Sequence, residues 1–533
     1  MQDPTNPSHR VYIPARPRKG CVASVKVISV ITDANSSVDS FSLSSIGSRS
    51  TNSTALHNTS SVPCPLPLLP PPNTAALTLT YKKVANKVRP VATTLPEDFQ
   101  NICWIPVDPL LSLTLLPDHP PDFTPGKHLT QECLDALALN ANGFLQPEEQ
   151  KLLLHILKMN EMGLAWEEEE KGRFSDEYFS PVKIPVIEHI PWAHKNLPIP
   201  AGILNKVIKI FKDKTTVGVY KHSNAAYCSR WFCVKKKSGT LHLVHDLQPL
   251  NGVTIHNSGI TLGTEQVIEA MAGWACYSML DLFVGYDHCT LDIALRDLTT
   301  IQSPIGAMRL TCLPQGWTNA SAIFHEDVTF ILEPEIPHVA WPFMDDCSIK
   351  GPTMRYEMAD GGYETISANL PIHRFIWEHL TNVRCILHRL QCAGATVSTK
   401  KLFVAVPKVV ILGHKCTYEG RVPDDPKAAK IRNWPPCKNV TDIRTFLGVT
   451  GYMRVWIKNY SAIARPLHDL TRKNQPFIWN EEHAAAMQSL KDAIVHSPAL
   501  IPIDYEADCT VYLAIDLSIR GVGWILSQDC ADG

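Results

Sequence analysis

Asp281, Asp345 and Asp346 are the residues whose type and surroundings best suit chemistry. The adjacent pair lies in Val339-Ala-Trp-Pro-Phe-Met-Asp-Asp-Cys-Ser-Ile349, where two apolar runs flank neighbouring carboxylates, a pattern that predicts a β-hairpin with the acids at its tip. Two such carboxylates repel each other and lose solvation, so they are tolerated best where a divalent cation binds them. Sixty-four positions before Asp345, Ala275-Cys-Tyr-Ser-Met-Leu-Asp-Leu282 is an apolar strand pattern ending in the lone carboxylate Asp281. A strand carrying Asp281 beside the hairpin would complete a two-metal site for phosphoryl transfer. Between the two blocks, Leu313-Pro-Gln-Gly-Trp-Thr-Asn-Ala320 predicts a turn leading into a helix. An Asp-Asp pair alone is usually a solvated surface turn; the three blocks in this order point to chemistry.

Several elements must position these acids. Pro147, Glu148 and Glu149 suit a helix start, and Leu152, Leu153, Ile156 and Leu157 form one apolar face behind them. The acidic run Glu167 to Glu170 reads as solvated. A second amphipathic helix over 203–214 turns Ile203, Leu204, Val207, Ile208 and Phe211 inward. Arg230 to Asn251 reads as strand, Ser-Gly turn, strand, and 260–274 as a connecting helix. The run 319–332 predicts a helix with Ala322, Phe324, Val328 and Ile331 mostly buried. Pro371 opens a long helix whose Ile372, Ile376, Leu380, Val383, Leu387 and Leu390 recur at helical spacing and should cover the back of the sheet.

A chain of 533 residues should hold two or three domains, and it contains no run of eighteen apolar residues to span a membrane. Its net charge of −2 does not advertise nucleic acid, but its distribution does. Nine Lys/Arg stand against one Asp between Lys206 and Lys237, and eleven against four Asp between Arg421 and Lys473. Such blocks suit a phosphate-lined groove. The 16 cysteines include no Cys-x-x-Cys, which favours reduced thiols in an intracellular protein that is not secreted. Residues 1–95 are Ser/Thr/Pro-rich and are expected to form a disordered tail.

The ordered blocks resemble the palm of reverse transcriptases, and Arg230 to Asn251, with Val244-His-Asp-Leu-Gln-Pro-Leu-Asn251, resembles the fingers hairpin of gypsy-class LTR retrotransposons, particularly the fungal form. The resemblance implies an α+β right-hand polymerase with a ferredoxin-like palm. It places a helical or extended lead-in at 96–200, fingers and palm at 201–422, thumb and connection at 423–505, and the first hairpin of an RNase H-like domain at 506–533, with Asp516 as that domain's first carboxylate. RNase H cleavage is not expected of this segment, since the domain needs carboxylates from later elements. Implied catalytic and metal-holding residues are Asp281, Asp345 and Asp346, with two Mg²⁺ ions, or Mn²⁺, as cofactors. Implied nucleotide-binding residues are Lys236, His242 where the family usually has Arg, Tyr286 as a gate against the ribose 2′-hydroxyl, Gln315 at the deoxyribose, and Lys400 or Lys401 near the leaving pyrophosphate. Phe343 and Val284 replace the family's usual Tyr and Ser. The implied partners are an RNA or DNA template-primer, deoxynucleoside triphosphates and other segments of a retroelement polyprotein, with no membrane; the implied location is cytoplasmic, in a virus-like particle, or nuclear. Two other readings compete: a decayed or co-opted fragment that only holds nucleic acid, and an RNA-dependent RNA polymerase, disfavoured by Tyr286 and the trailing pattern.

Overall fold

The computed structural model describes residues 28–30, 90–104, 107–137, 139–235, 239–259, 263–505, 507–518 and 521–529. Most of the tail expected at 1–95 therefore lies outside the described residues. Within it, Ile28–Val30 runs antiparallel to a C-terminal strand, and the Val91 amide donates to the Thr254 carbonyl at 2.8 Å.

Helix α1 (Pro147–Met159) begins as its sequence dictates: proline takes the first turn, where no amide partner is needed, and the Gln146 amide donates to Glu149 at 2.7 Å. Leu152, Leu153, Ile156 and Leu157 are fully buried. They join one core that runs from Leu129 to Ala405, so the lead-in is not a separate layer. The acidic run is solvated as expected, with Glu167 and Glu169 exposed, while Glu168 also meets Lys214 at 3.0 Å and Glu170 accepts the Trp166 amide at 2.7 Å. Helix α2 (Ala201–Thr216) buries Val207 and Phe211 fully, leaving Ile203, Leu204 and Ile208 half-buried. Strands β1 (Trp231–Lys235) and β2 (Leu241–His245) form the expected hairpin, anchored where Phe211 meets Trp231 edge-on at 5.0 Å. The connecting helix is shorter than expected, Thr264–Ala270.

The central sheet has the order β6-β3-β5-β4. It comprises β3 (Tyr277–Asp281), β4 (Ala340–Phe343), β5 (Asp346–Lys350) and β6 (Phe403–Val406). Helix α3 (Ala320–Leu332) buries Phe324, Val328 and Ile331, while Ala322 stays half-buried. Helix α4 (Arg374–Cys392) covers the back of the sheet with Ile376, Leu380, Val383, Leu387 and Leu390. It starts three residues after Pro371, which lies in the strand Asn369–His373. The reason is a distant contact: the His373 amide, at the end of that strand, donates to buried Glu149 at 2.9 Å.

Strands β7 (Lys408–Ile411), β8 (His414–Thr417) and β9 (Gly420–Pro423) form an antiparallel meander. Helices α5 (Asp425–Arg432), α6 (Val440–Tyr452), α7 (Tyr460–Asp469) and α8 (Glu481–Val495) then pack around their own core of Ile443, Phe446, Leu467 and Leu490. Strands β10 (Val511–Ser518) and β11 (Gly521–Gln528) close the chain as a hairpin. Among the described residues no helix is long and apolar enough to cross a membrane.

Candidate active site

The β4–β5 hairpin closes on the pair Phe343 and Asp346, leaving Met344 and Asp345 as a two-residue turn. Such turns require a positive φ, and Met344 supplies it at 58° although it is not glycine. That conformation costs a methionine on the order of 1 kcal/mol, so neighbours must hold it. The Leu282 amide donates to the Asp345 carbonyl at 2.8 Å, and the Met344 amide donates to His325 Nδ1 at 3.4 Å. Both backbone groups of the tip are thereby tied to elements outside the hairpin.

Strand register brings the acids together. Asp346 stands directly opposite Asp281 across the antiparallel β5–β3 pair, with Asp345 beside it at the tip. Asp281 is 6% exposed, Asp345 is exposed and Asp346 is intermediate. Like charges facing each other across strands are unfavourable, and burial adds to the cost. Asp346 is accordingly pushed up to about 6, by desolvation first and then by Asp345 and Asp281. Burial also raises Asp281, with Asp345 adding to it and Lys401 opposing.

The lysine is the main electrostatic surprise. Lys401 Nζ lies 2.5 Å from Asp281 Oδ2, whereas Lys400 turns away to Glu167 at 3.1 Å and the Trp166 carbonyl at 3.0 Å. Of the two lysines, Lys401 is the one at the acids. Burial opposes its charge, but Asp281, followed by Asp345 and Asp346, outweighs that and raises its pKa. The donor set is three carboxylates, the oxygen chemistry that Mg²⁺ and Mn²⁺ prefer. Among the described residues, however, no group of three or more His, Cys, Asp or Glu side chains stands assembled to hold a metal ion. The acids fit a divalent cation by type, and Lys401 engages one of them, Asp281.

Around the acids, Val284 has a φ of 51°, an unusual state for a β-branched residue, and precedes the short turn Gly285–His288. Gly285 is required there, because a Cβ would come within 2.4 Å of Phe324 Cζ. Tyr286 is half-buried, its ring 5.1 Å from Phe324 and its hydroxyl 2.9 Å from Ser321 Oγ. Gln315 is exposed on the turn before Gly316. His242 sits on β2 opposite Val234, and Lys236 lies outside the described residues. Phe343 packs on the cluster containing Tyr277 and Trp341. Asp516 lies on β10 opposite Gly523, far along the chain from the three acids; its side chain lies outside the described residues. His325 escaped the sequence reading, since nothing in a helical histidine announces that it reaches a turn nineteen residues away.

No family model matches the chain. It is 25% identical over 335 residues to the Transposon Tf2-3 polyprotein of Schizosaccharomyces pombe, covering 63% of this chain and 23% of that protein. It is 26% identical over 332 residues to the retrovirus-related Pol polyprotein from transposon 412 of Drosophila melanogaster, covering 61% and 24%. The chain thus spans about a quarter of the length of these curated relatives. Among solved structures, the foamy viral protease-reverse transcriptase in complex with dsDNA superposes with a TM-score of 0.62 at 19% identity, covering 77% of this chain and 83% of that one. The same viral protein in complex with an RNA/DNA hybrid gives a TM-score of 0.59 at 20% identity, covering 77% and 54%. At these identities the structural likeness is one of fold. The α+β fold described above is therefore shared with a viral reverse transcriptase, and the sequence is similar to retroelement polyproteins.

Proposed function

We propose that the chain is the RNA-directed DNA polymerase of a gypsy-class retrotransposon. The observation that carries this reading is the register that sets Asp346 against Asp281 beside the Met344-Asp345 turn. The central sheet is the palm, the β1–β2 hairpin belongs to the fingers, and α5 to α8 form the thumb. Asp281, Asp345 and Asp346 would hold the divalent cations, which their oxygen chemistry suits to Mg²⁺. Held there, they would supply activation of the primer 3′-hydroxyl and charge stabilisation at the leaving pyrophosphate. The protein's share is positioning: paired strands fix the acids, and Tyr286, braced by Phe324 and Ser321, bounds the space beside the sugar. The exposed basic side chains between Lys430 and Lys473 follow template-primer phosphates without reading sequence, whereas Arg421 is buried against Glu265.

A second reading, a module that binds nucleic acid without extending it, is favoured by the Lys401–Asp281 contact and by His242 in place of arginine. Primer extension on RNA and DNA templates decides between them. Deoxynucleotide addition with Mg²⁺ supports the polymerase; binding of template-primer with no extension supports the module. In an active protein, Tyr286→Ala should lower discrimination against ribonucleotides by about tenfold or more, because the gate acts by exclusion. An unchanged incorporation ratio would make Tyr286 a packing residue only.

A further inference from the structure

We propose that Lys401 is an internal counter-ion of the acid site, holding Asp281 as a divalent cation would, so that cation binding must break the Lys401–Asp281 contact. The inference rests on the reading of the three acids as cation ligands and goes beyond it by naming what competes for them.

Four observations carry it. The contact is short and charge-assisted, 2.5 Å from Nζ to Oδ2. The partners are unequal in exposure: the Asp281 side chain is 9% exposed and that of Lys401 63%. A buried carboxylate needs a partner, whereas a lysine reaching in from solvent can swing back to water with little desolvation cost. The backbone beneath the lysine is fixed independently, since Thr399 is buried and its hydroxyl donates to the Ala165 carbonyl at 3.1 Å; only the Lys401 side chain has to move. Lys400, next in the same turn, is engaged with Glu167 and the Trp166 carbonyl, so the two adjacent ammonium groups have separate partners.

The exchange has a definite charge balance. Three carboxylates with one ammonium leave the cluster two units negative, and a first divalent cation that displaces the ammonium brings it to one unit negative. Lys401 is thereby released at the moment the site is loaded.

The test is isothermal titration of the full chain with Mn²⁺ alone, nucleic acid and nucleotide absent. Lys401→Met should bind Mn²⁺ roughly fivefold tighter than wild type, which corresponds to about 1 kcal/mol for a partly exposed ion pair. Lys401→Arg, which keeps the charge, should not gain. Lys400→Met should titrate like wild type; an equal gain there would mean that net charge rather than this contact is responsible, and would overturn the proposal. Asp346→Asn should weaken binding. If Asp346→Asn weakens binding but Lys401→Met does not tighten it, the counter-ion role is wrong while the acid site stands; if Asp346→Asn has no effect, the reading of the acids falls first. Should Lys401→Met be less stable in EDTA, the rise in Tm on adding Mn²⁺ gives the same comparison: it should be larger than in wild type, and an equal or smaller rise would overturn the role.

Discussion

The β4–β5 hairpin and the β1–β2 hairpin are both short antiparallel pairs assigned to one proposed reaction, yet they are held in opposite ways. In the first, Ala340, Trp341, Cys347 and Ile349 are buried, β5 pairs with β3 on its other edge, and the tip is bonded from outside the hairpin. In the second, Trp231 at the base is buried and donates from its indole to the Gln302 carbonyl at 2.8 Å, while Phe232 and Val234 further out are 42% and 44% exposed. Packing from both sides fixes the acids before any ligand arrives. The β1–β2 hairpin is held in the core chiefly by Trp231, with Cys233, Leu241 and Leu243 only partly buried against it, so the placement proposed for His242 depends more on what the hairpin closes upon.

The sharpest way to break this contrast is Asp346→Asn. It should lower primer extension by about a hundred- to thousandfold while leaving template-primer affinity nearly unchanged, as measured by extension and by filter binding in parallel. Equal losses in both would show that the hairpin had collapsed. Trp231→Ala tests the other hairpin at its anchor. Removing a buried tryptophan should destabilise the protein by about 3–5 kcal/mol in denaturant melts and raise the apparent KM for nucleotide. A stability loss under about 1 kcal/mol would contradict the anchoring role.

A smaller effect concerns how α3 is held beneath the β4–β5 hairpin. Asp327 on that helix is 1% exposed, accepts from Asn101 Nδ2 at 2.6 Å, and lies 3.4 Å from Cys289 Sγ. Burial raises its pKa to about 7 against hydrogen bonds from Cys289 and Asn101 that lower it. A carboxyl raised in the folded state contributes stability that is fully present below its unfolded pKa near 4 and is lost as pH climbs through about 7. Wild type should therefore lose more stability than Asp327→Asn between pH 5 and pH 8. Parallel pH dependences in thermal melts would refute it. Smallest is His242→Arg, which should lower the apparent KM for nucleotide by roughly tenfold by restoring a permanent charge. Equal constants for both proteins would mean that His242 does not reach the triphosphate.

The acids were legible because each lies in a local apolar strand pattern, and period-two spacing carries over directly into strand register. The buried faces of α1 and α4 were legible for the same reason at helical period. Lys400 and Lys401 could not be separated in the sequence: they are consecutive in the turn Thr399–Lys401, and the partner that draws Lys400 away, Glu167, is 233 residues distant. The partners of the acidic run were hidden on similar grounds, since Lys214 is as unreadable from Glu168 as Glu167 is from Lys400. The start of α4 was placed too early because the amide that ends the strand is claimed by Glu149, a contact spanning 224 residues. Periodicity reports which face is buried; it does not report which charge arrives from elsewhere.

The core that runs from Leu129 to Ala405 also decides where this polypeptide can be cut. A fragment starting at residue 201 would retain every residue proposed for chemistry and discard α1, exposing the back of α4 where Leu152, Leu153, Ile156 and Leu157 pack. Each such leucine or isoleucine stripped from the core removes about 1.5–3 kcal/mol, comparable with a large share of the net stability of an ordinary domain. Even Val91 is bonded to the backbone at Thr254. The smallest piece able to stand alone therefore begins before α1, well ahead of the first recognisable motif.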